Sequence, residues 1–208
     1  MTEAYELRNM VEAEQVEFAK VLRGLAPEQW ETPSLCAKWT VHDAVMHITW
    51  HVHTGDVQRF SQLVRARLSE ERVHEGERAL PKEELIERLE APAVLAGPSN
   101  VLTQLTELVI HQQDVRRPLE LTREIPAERL GIVLDFSLTR AGGSATLASA
   151  RRRSKGLRLV ADDLEWSAGV GPVARGPGEA ILMALNGRAP ALADLEGEGV
   201  PVLAGRMP

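Results

Sequence analysis

The chain has 208 residues, 44% of them hydrophobic, with a formal net charge of -6. That length supports one large domain, or a domain with a smaller companion, without covalent staples. The single cysteine, Cys36, excludes an intramolecular disulfide framework and a multi-cysteine zinc knuckle and fits a reducing cytosol, and the acidic balance argues against broad binding to phosphate backbones.

Residues 5–25 place Leu7, Met10, Val11, Phe18, Val21 and Leu22 at three- and four-residue steps, which predicts an amphipathic helix ended by Gly24 and Pro27. A loop with Pro33 and Ser34 then leads to Thr40, a good N-cap, with Asp43 three residues on as its capping-box partner. The helix that follows runs past His53 on a stripe of Val41, Val45, Ile48 and Val52. Residues 69–79 are charged and read as a surface connection, and residues 81–95 as a shorter helix starting at a proline. After the break at Gly97-Pro98-Ser99, Ser99 or Asn100 can cap a helix carrying Leu102, Leu105, Glu107, Val109 and His111, which Pro118 stops. A further helix begins near Pro126 and reads through Leu130, Val133, Leu134 and Leu138 to Gly142-Gly143.

The basic run of residues 151–155 reads as a solvated linker. Beyond it, residues 156–160 and 164–168 resemble a β-hairpin around Asp162-Asp163, and residues 169–178 are rich in glycine and proline turns. Residues 179–186 predict a short helix ended by Gly187, and residues 200–203 a last strand. The expected fold class is α+β: a helical bundle followed by a small α/β region. The N-terminus lacks a secretory pattern and no stretch has the roughly 20 apolar residues that span a bilayer, so a cytoplasmic protein with no membrane or nucleic-acid partner is expected.

His47, Glu107 and His111 are the candidate metal ligands. Two imidazoles and a carboxylate can hold a divalent ion and leave one position open, as catalytic zinc sites do. Glu107 and His111 stand one helical turn apart on one face, whereas His47 has to arrive from another helix. Helical phase sets all three away from the apolar stripes, so the competing reading is three exposed polar residues. His51 pairs with His47 at i,i+4 as a supporting or substitute ligand, and His42, His53 and His74 read as ordinary histidines. Cys36 reads as a small buried hydrophobe. Asp114 can steer His111 or pair with Arg116 or Arg117, and the ion pair is the favoured reading. Trp30, Trp39, Trp50 and Trp166 supply packing area.

Two longer motifs add to this: Pro33-Ser34-Leu35-Cys36-Ala37-Lys38-Trp39-Thr40-Val41-His42-Asp43 leading to His47, and Glu107-x-x-x-His111-Gln112-Gln113-Asp114-Val115-Arg116-Arg117-Pro118-Leu119. Together they resemble the mycothiol-dependent maleylpyruvate isomerase family, and residues 156–163, 171–180 and 186–188 look like the small C-terminal domain of that family. Lys38 stands where such proteins commonly have glycine. The resemblance implies a DinB-like four-helix metal-binding bundle over residues 1–150 and a small α/β domain over residues 156–208. It also puts His47, Glu107 and His111 on the family's metal-ligand positions.

The implied function is a metal-dependent isomerase or S-transferase that uses mycothiol or a similar low-molecular-weight thiol on a small electrophilic substrate. Zinc is the expected ion, with nickel and iron accepting the same donors. Arg116, Arg117 or Arg206 could receive a substrate carboxylate. The alternatives are a non-catalytic metal- or ligand-binding module, a non-haem iron enzyme and a helical protein without metal; a homodimer stays open.

Overall fold

The computed structural model describes residues 2–53, 80–94, 98–139 and 145–208. The charged connection read at residues 69–79 and His74 lie outside them. The chain is α+β and divides into two compact units, Met1–Thr122 and Arg123–Pro208. These bounds differ from those expected from sequence, because the helices after residue 126 pack with the small sheet region.

The first unit contains α1 (Thr2–Arg23), a 3-10 turn (Pro27–Glu31), α2 (Val41–His53), α3 (Lys82–Glu90) and α4 (Pro98–Arg116). Both α1 and α2 pack against α3 and against α4. Leu7, Val11, Phe18 and Leu22 bury the α1 stripe as the periodicity predicts, and Val41, Val45, Ile48 and Val52 do the same on α2. Each fully buried side chain of this size is worth about 1.5–3 kcal/mol. Gln15 shares the α1 stripe and its amide donates to the carbonyls of Leu89 (2.7 Å) and Ala91 (2.9 Å), supplying partners at the open C-terminus of α3.

Thr40 and Asp43 form the predicted reciprocal cap on α2: the Thr40 backbone N–H donates to Asp43 Oδ2 (3.1 Å) and the Asp43 N–H to Thr40 Oγ1 (3.2 Å). In contrast, α4 already begins at Pro98, so Ser99 and Asn100 fall in its first turn rather than before it. Proline suits that place because its missing N–H would have no helical partner there. Among the described residues no helix is long and apolar enough to cross a membrane.

The second unit contains α5 (Ala127–Leu138), α6 (Ala145–Ser154), strands β1 (Arg158–Ala161), β2 (Ser167–Gly169) and β3 (Val173–Gly176), α7 (Gly178–Leu185), a 3-10 turn (Ala189–Asp194) and α8 (Gly199–Ala204). The sheet order is β2-β1-β3; β1 runs antiparallel to β2 with Leu159 opposite Ala168, and parallel to β3 with Leu159 opposite Ala174. The predicted hairpin is thus present, whereas β3 lies inside the stretch read as turns. Gly169 has φ +77°, and a Cβ there would stand 2.2 Å from the Leu157 carbonyl oxygen, which explains why glycine interrupts the strand pattern.

Two further expectations are corrected. Residues 200–203 form part of α8, where Pro201 sits near the helix start; a proline cannot donate to a sheet ladder and is tolerated in a first helical turn. The basic run is mostly helical, in α6, and Arg153 is 9% exposed, donating through Nη1 to the Leu185 carbonyl (3.0 Å) and through Nε to Arg206 O (3.3 Å). Arg153 therefore closes the C-terminus of α7 instead of facing solvent.

Candidate metal centre

His47 is delivered by α2, and Glu107 and His111 by α4, where both helices are packed together. All three side chains are buried, each residue 5% exposed, which overturns the exposed reading from helical phase. The physical reason is that α4 packs against both α1 and α2, so it has no wet side over residues 104–116 for the polar residues to occupy. One potential donor atom from each of His47, Glu107 and His111 lies within 4.8 Å of the others.

The two nitrogens of the His111 ring face different carboxylates. Nε2 is 3.1 Å from Glu107 Oε2, and Nδ1 is 2.9 Å from Asp114 Oδ2. Burial alone would push the His111 pKa down, but the contacts with Asp114, Cys36 and Glu107 outweigh it and hold the imidazole well above its ordinary value. Asp114 is completely buried and also accepts a hydrogen bond from Cys36 Sγ at 3.1 Å. Of the two sequence readings of Asp114, the contact with His111 is present; Arg116 pairs with Glu17 (2.9 Å) and donates to Gln112.

The 34–39 loop brings Cys36 to this point. Ser34 N–H donates to Trp39 O (2.8 Å), Trp39 N–H to Cys36 O (3.0 Å), and Leu35 N–H to the Asp114 carbonyl (3.1 Å), so the loop closes on itself and is tied to α4. Lys38 adopts φ +70°, the left-handed region that favours glycine. Cys36 is half-buried and hydrogen-bonded, not an inert hydrophobe.

The Trp39 ring lies 4.8 Å from the His47 ring and is stacked near His111 at 6.3 Å, so it walls the site as well as packing. His51 stands beside His47, with ring centroids 4.5 Å apart, but does not join the three-residue donor group. His42 meets the Leu80 carbonyl (3.0 Å) and the edge of Trp30. The Arg206 guanidinium donates through Nη1 to the carbonyls of Arg153 and Lys155. Sequence reasoning missed the Cys36–Asp114 contact, since the two are 78 residues apart; the available signal was that Asp114 follows His111 by three positions on one helical face.

The donor set fits a divalent ion. Two nitrogens and a carboxylate suit zinc, all three residues are buried, and Asp114 holds the imidazole nitrogen that faces away from Glu107.

Residues 11–96 match the family model described as the mycothiol maleylpyruvate isomerase N-terminal domain. The crystal structure of the mycothiol-dependent maleylpyruvate isomerase aligns with a TM-score of 0.53 at 14% identity, covering 94% of this chain and 92% of that one. The chain shares that enzyme's fold. A crystal structure of a histidine-to-alanine mutant under the same name aligns over the same shares, with a TM-score of 0.56 at 14% identity. Among curated proteins no sequence matches this chain. The resemblance to the mycothiol-dependent maleylpyruvate isomerases first read in the two motifs is therefore met in the N-terminal sequence and in the fold.

Proposed function

We propose that His47, Glu107 and His111 hold a divalent ion, zinc by donor type, and that the protein uses a low-molecular-weight thiol such as mycothiol to isomerise, or to conjugate, a small electrophile. The observation that carries this reading is the convergence of three buried ligand-type side chains from two helices, in a chain whose residues 11–96 match that family's N-terminal domain. When bound, such an ion stabilises the thiolate form of a thiol.

The protein's own groups have distinct tasks. Glu107 contributes negative charge against the ion's two positive charges. His47 and His111 give neutral nitrogen donors, and Asp114 keeps His111 oriented by accepting from Nδ1. Trp39 shields the imidazoles from water. On this reading the site is cytoplasmic and its partners are a thiol and a small electrophilic substrate.

The test is elemental analysis of untagged protein beside His47→Ala and His111→Ala, followed by a thiol-dependence assay. Near-stoichiometric metal that falls to background in the variants, with conversion of maleylpyruvate or another electrophile only when thiol is added, is the expected result. Metal without thiol-dependent turnover would leave a binding module. No metal in the wild type after reconstitution with zinc, nickel and ferrous ions would overturn the proposal.

A further inference from the structure

Resting on the metal reading above, we infer that Cys36 is a positioning residue for the metal centre, acting through Asp114 on His111. Three observations carry it. Asp114 Oδ2 is approached by both Cys36 Sγ at 3.1 Å and His111 Nδ1 at 2.9 Å, so one carboxylate oxygen gathers two donors, while Sγ is farther from Nδ1 itself, at 3.8 Å. Asp114 is fully buried, where a carboxylate keeps its place only if its oxygens are hydrogen-bonded. The loop bearing Cys36 is pinned to the same residue through Leu35 N–H and the Asp114 carbonyl, and Ser34 Oγ accepts from the Cys36 N–H at 3.2 Å, which fixes the cysteine backbone.

The chemistry of His111 decides between this role and a second cation site made of Cys36, His111 and Asp114, whose donor atoms also converge. An imidazole can offer one nitrogen to a cation while the other keeps its proton; offering both requires an imidazolate. Nε2 faces Glu107, the fellow member of the His47 donor group, so Nδ1 is the nitrogen that keeps its proton and donates to Asp114. The thiol then holds the acceptor of that bond in place. Such outer hydrogen bonds orient a ligand imidazole and raise its basicity, and their loss typically weakens metal binding by about 10–100-fold.

The experiment titrates zinc into the metal-free full chain against a chromophoric chelator, for wild type, Asp114→Asn, Cys36→Ala and Cys36→Ser, with the cobalt(II) absorption spectrum of each as a second readout. Asp114→Asn is expected to lose about 10–100-fold in zinc affinity and Cys36→Ala about tenfold. Cys36→Ser, whose hydroxyl can donate in the same direction, should recover most of that loss. The cobalt spectrum should change in its ligand-field bands without a thiolate charge-transfer band.

Equal affinity in wild type and Cys36→Ala overturns the inference while leaving the metal site standing. So does a charge-transfer band that disappears in Cys36→Ala, since the thiol would then be a ligand. Failure of wild type to bind either ion overturns the inference together with the proposed function. Should Cys36→Ala not fold by circular dichroism, Cys36→Ser decides: retained affinity without a charge-transfer band supports the role, and a loss matching Asp114→Asn overturns it.

Discussion

Each unit is built around a helix buried along most of its length, and the two helices are filled with opposite chemistry. In the second unit α7 buries Ala180, Ile181, Leu182, Met183, Ala184 and Leu185, with Glu179 half-buried in its first turn and the buried Asn186 as its C-cap. In the first unit α4 buries Gln104, Thr106, Glu107, His111, Gln112, Gln113, Asp114 and Arg116 among its leucines and valines. An apolar buried helix is stabilised by area alone, whereas a polar one persists only where its groups find partners. The contrast teaches that α4 accepts a desolvation cost which α7 largely avoids, and that the candidate metal centre lies where this cost is concentrated.

The contrast is broken most severely from the apolar side. Leu182 is completely buried in α7, so Leu182→Ala should cost about 2–5 kcal/mol of stability, read by chemical or thermal unfolding, with the metal content of the folded fraction unchanged. On the polar side, Gln112 donates to Glu14 at both its side-chain and backbone oxygens and accepts from Arg116 Nε. Gln112→Leu keeps the bulk but strips these contacts from buried charges, and a loss of about 1–3 kcal/mol is expected. A loss as small as that of a surface change would mean that the polar interior is stabilised by packing alone.

Lys38 sharpens the comparison in the other direction, because it is a conformational cost near the site without a packing role. Lys38→Gly at φ +70° should stabilise the protein by about 1 kcal/mol, and unfolding of the metal-free forms checks it. The smallest effect belongs to His53. Burial lowers its pKa below 6.5, partly offset by a hydrogen bond to the Arg88 backbone. The unfolded chain therefore takes up this proton first as pH falls, and the contribution of His53 to stability is full above 6.5 and lost as pH drops toward the lowered folded value. A His53→Gln variant should show a flatter stability profile below pH 6.5 than wild type; an identical slope would remove His53 as its source.

Much of the fold was legible because its signals are local. The periodic leucines and valines of α1 and α2, the Thr40/Asp43 cap, the Pro81 start of α3 and the β1–β2 hairpin each involve residues within a few positions of one another. The misses share another cause. β3 is only four residues long amid glycines and prolines, and its pairing with β1 is nonlocal. Residues 200–203 carry valines and a leucine, but Pro201 favours a helix start over a ladder. The buried side of α4 was misjudged because periodicity assumes a helix with one wet face, and this one is packed against both α1 and α2.

For the candidate centre the same division holds. By itself the sequence determined which side chains have metal-ligand chemistry and that Glu107 and His111 share a face, because spacing along a helix follows from its 3.6-residue turn. Tertiary structure decided that α2 brings His47 to them, that burial replaces exposure, and that a loop 78 residues away in sequence sets Cys36 on Asp114. These outcomes depend on which helices pack together, and that choice is made by the summed burial and hydrogen-bond partnering of the whole unit rather than by any short stretch of chain.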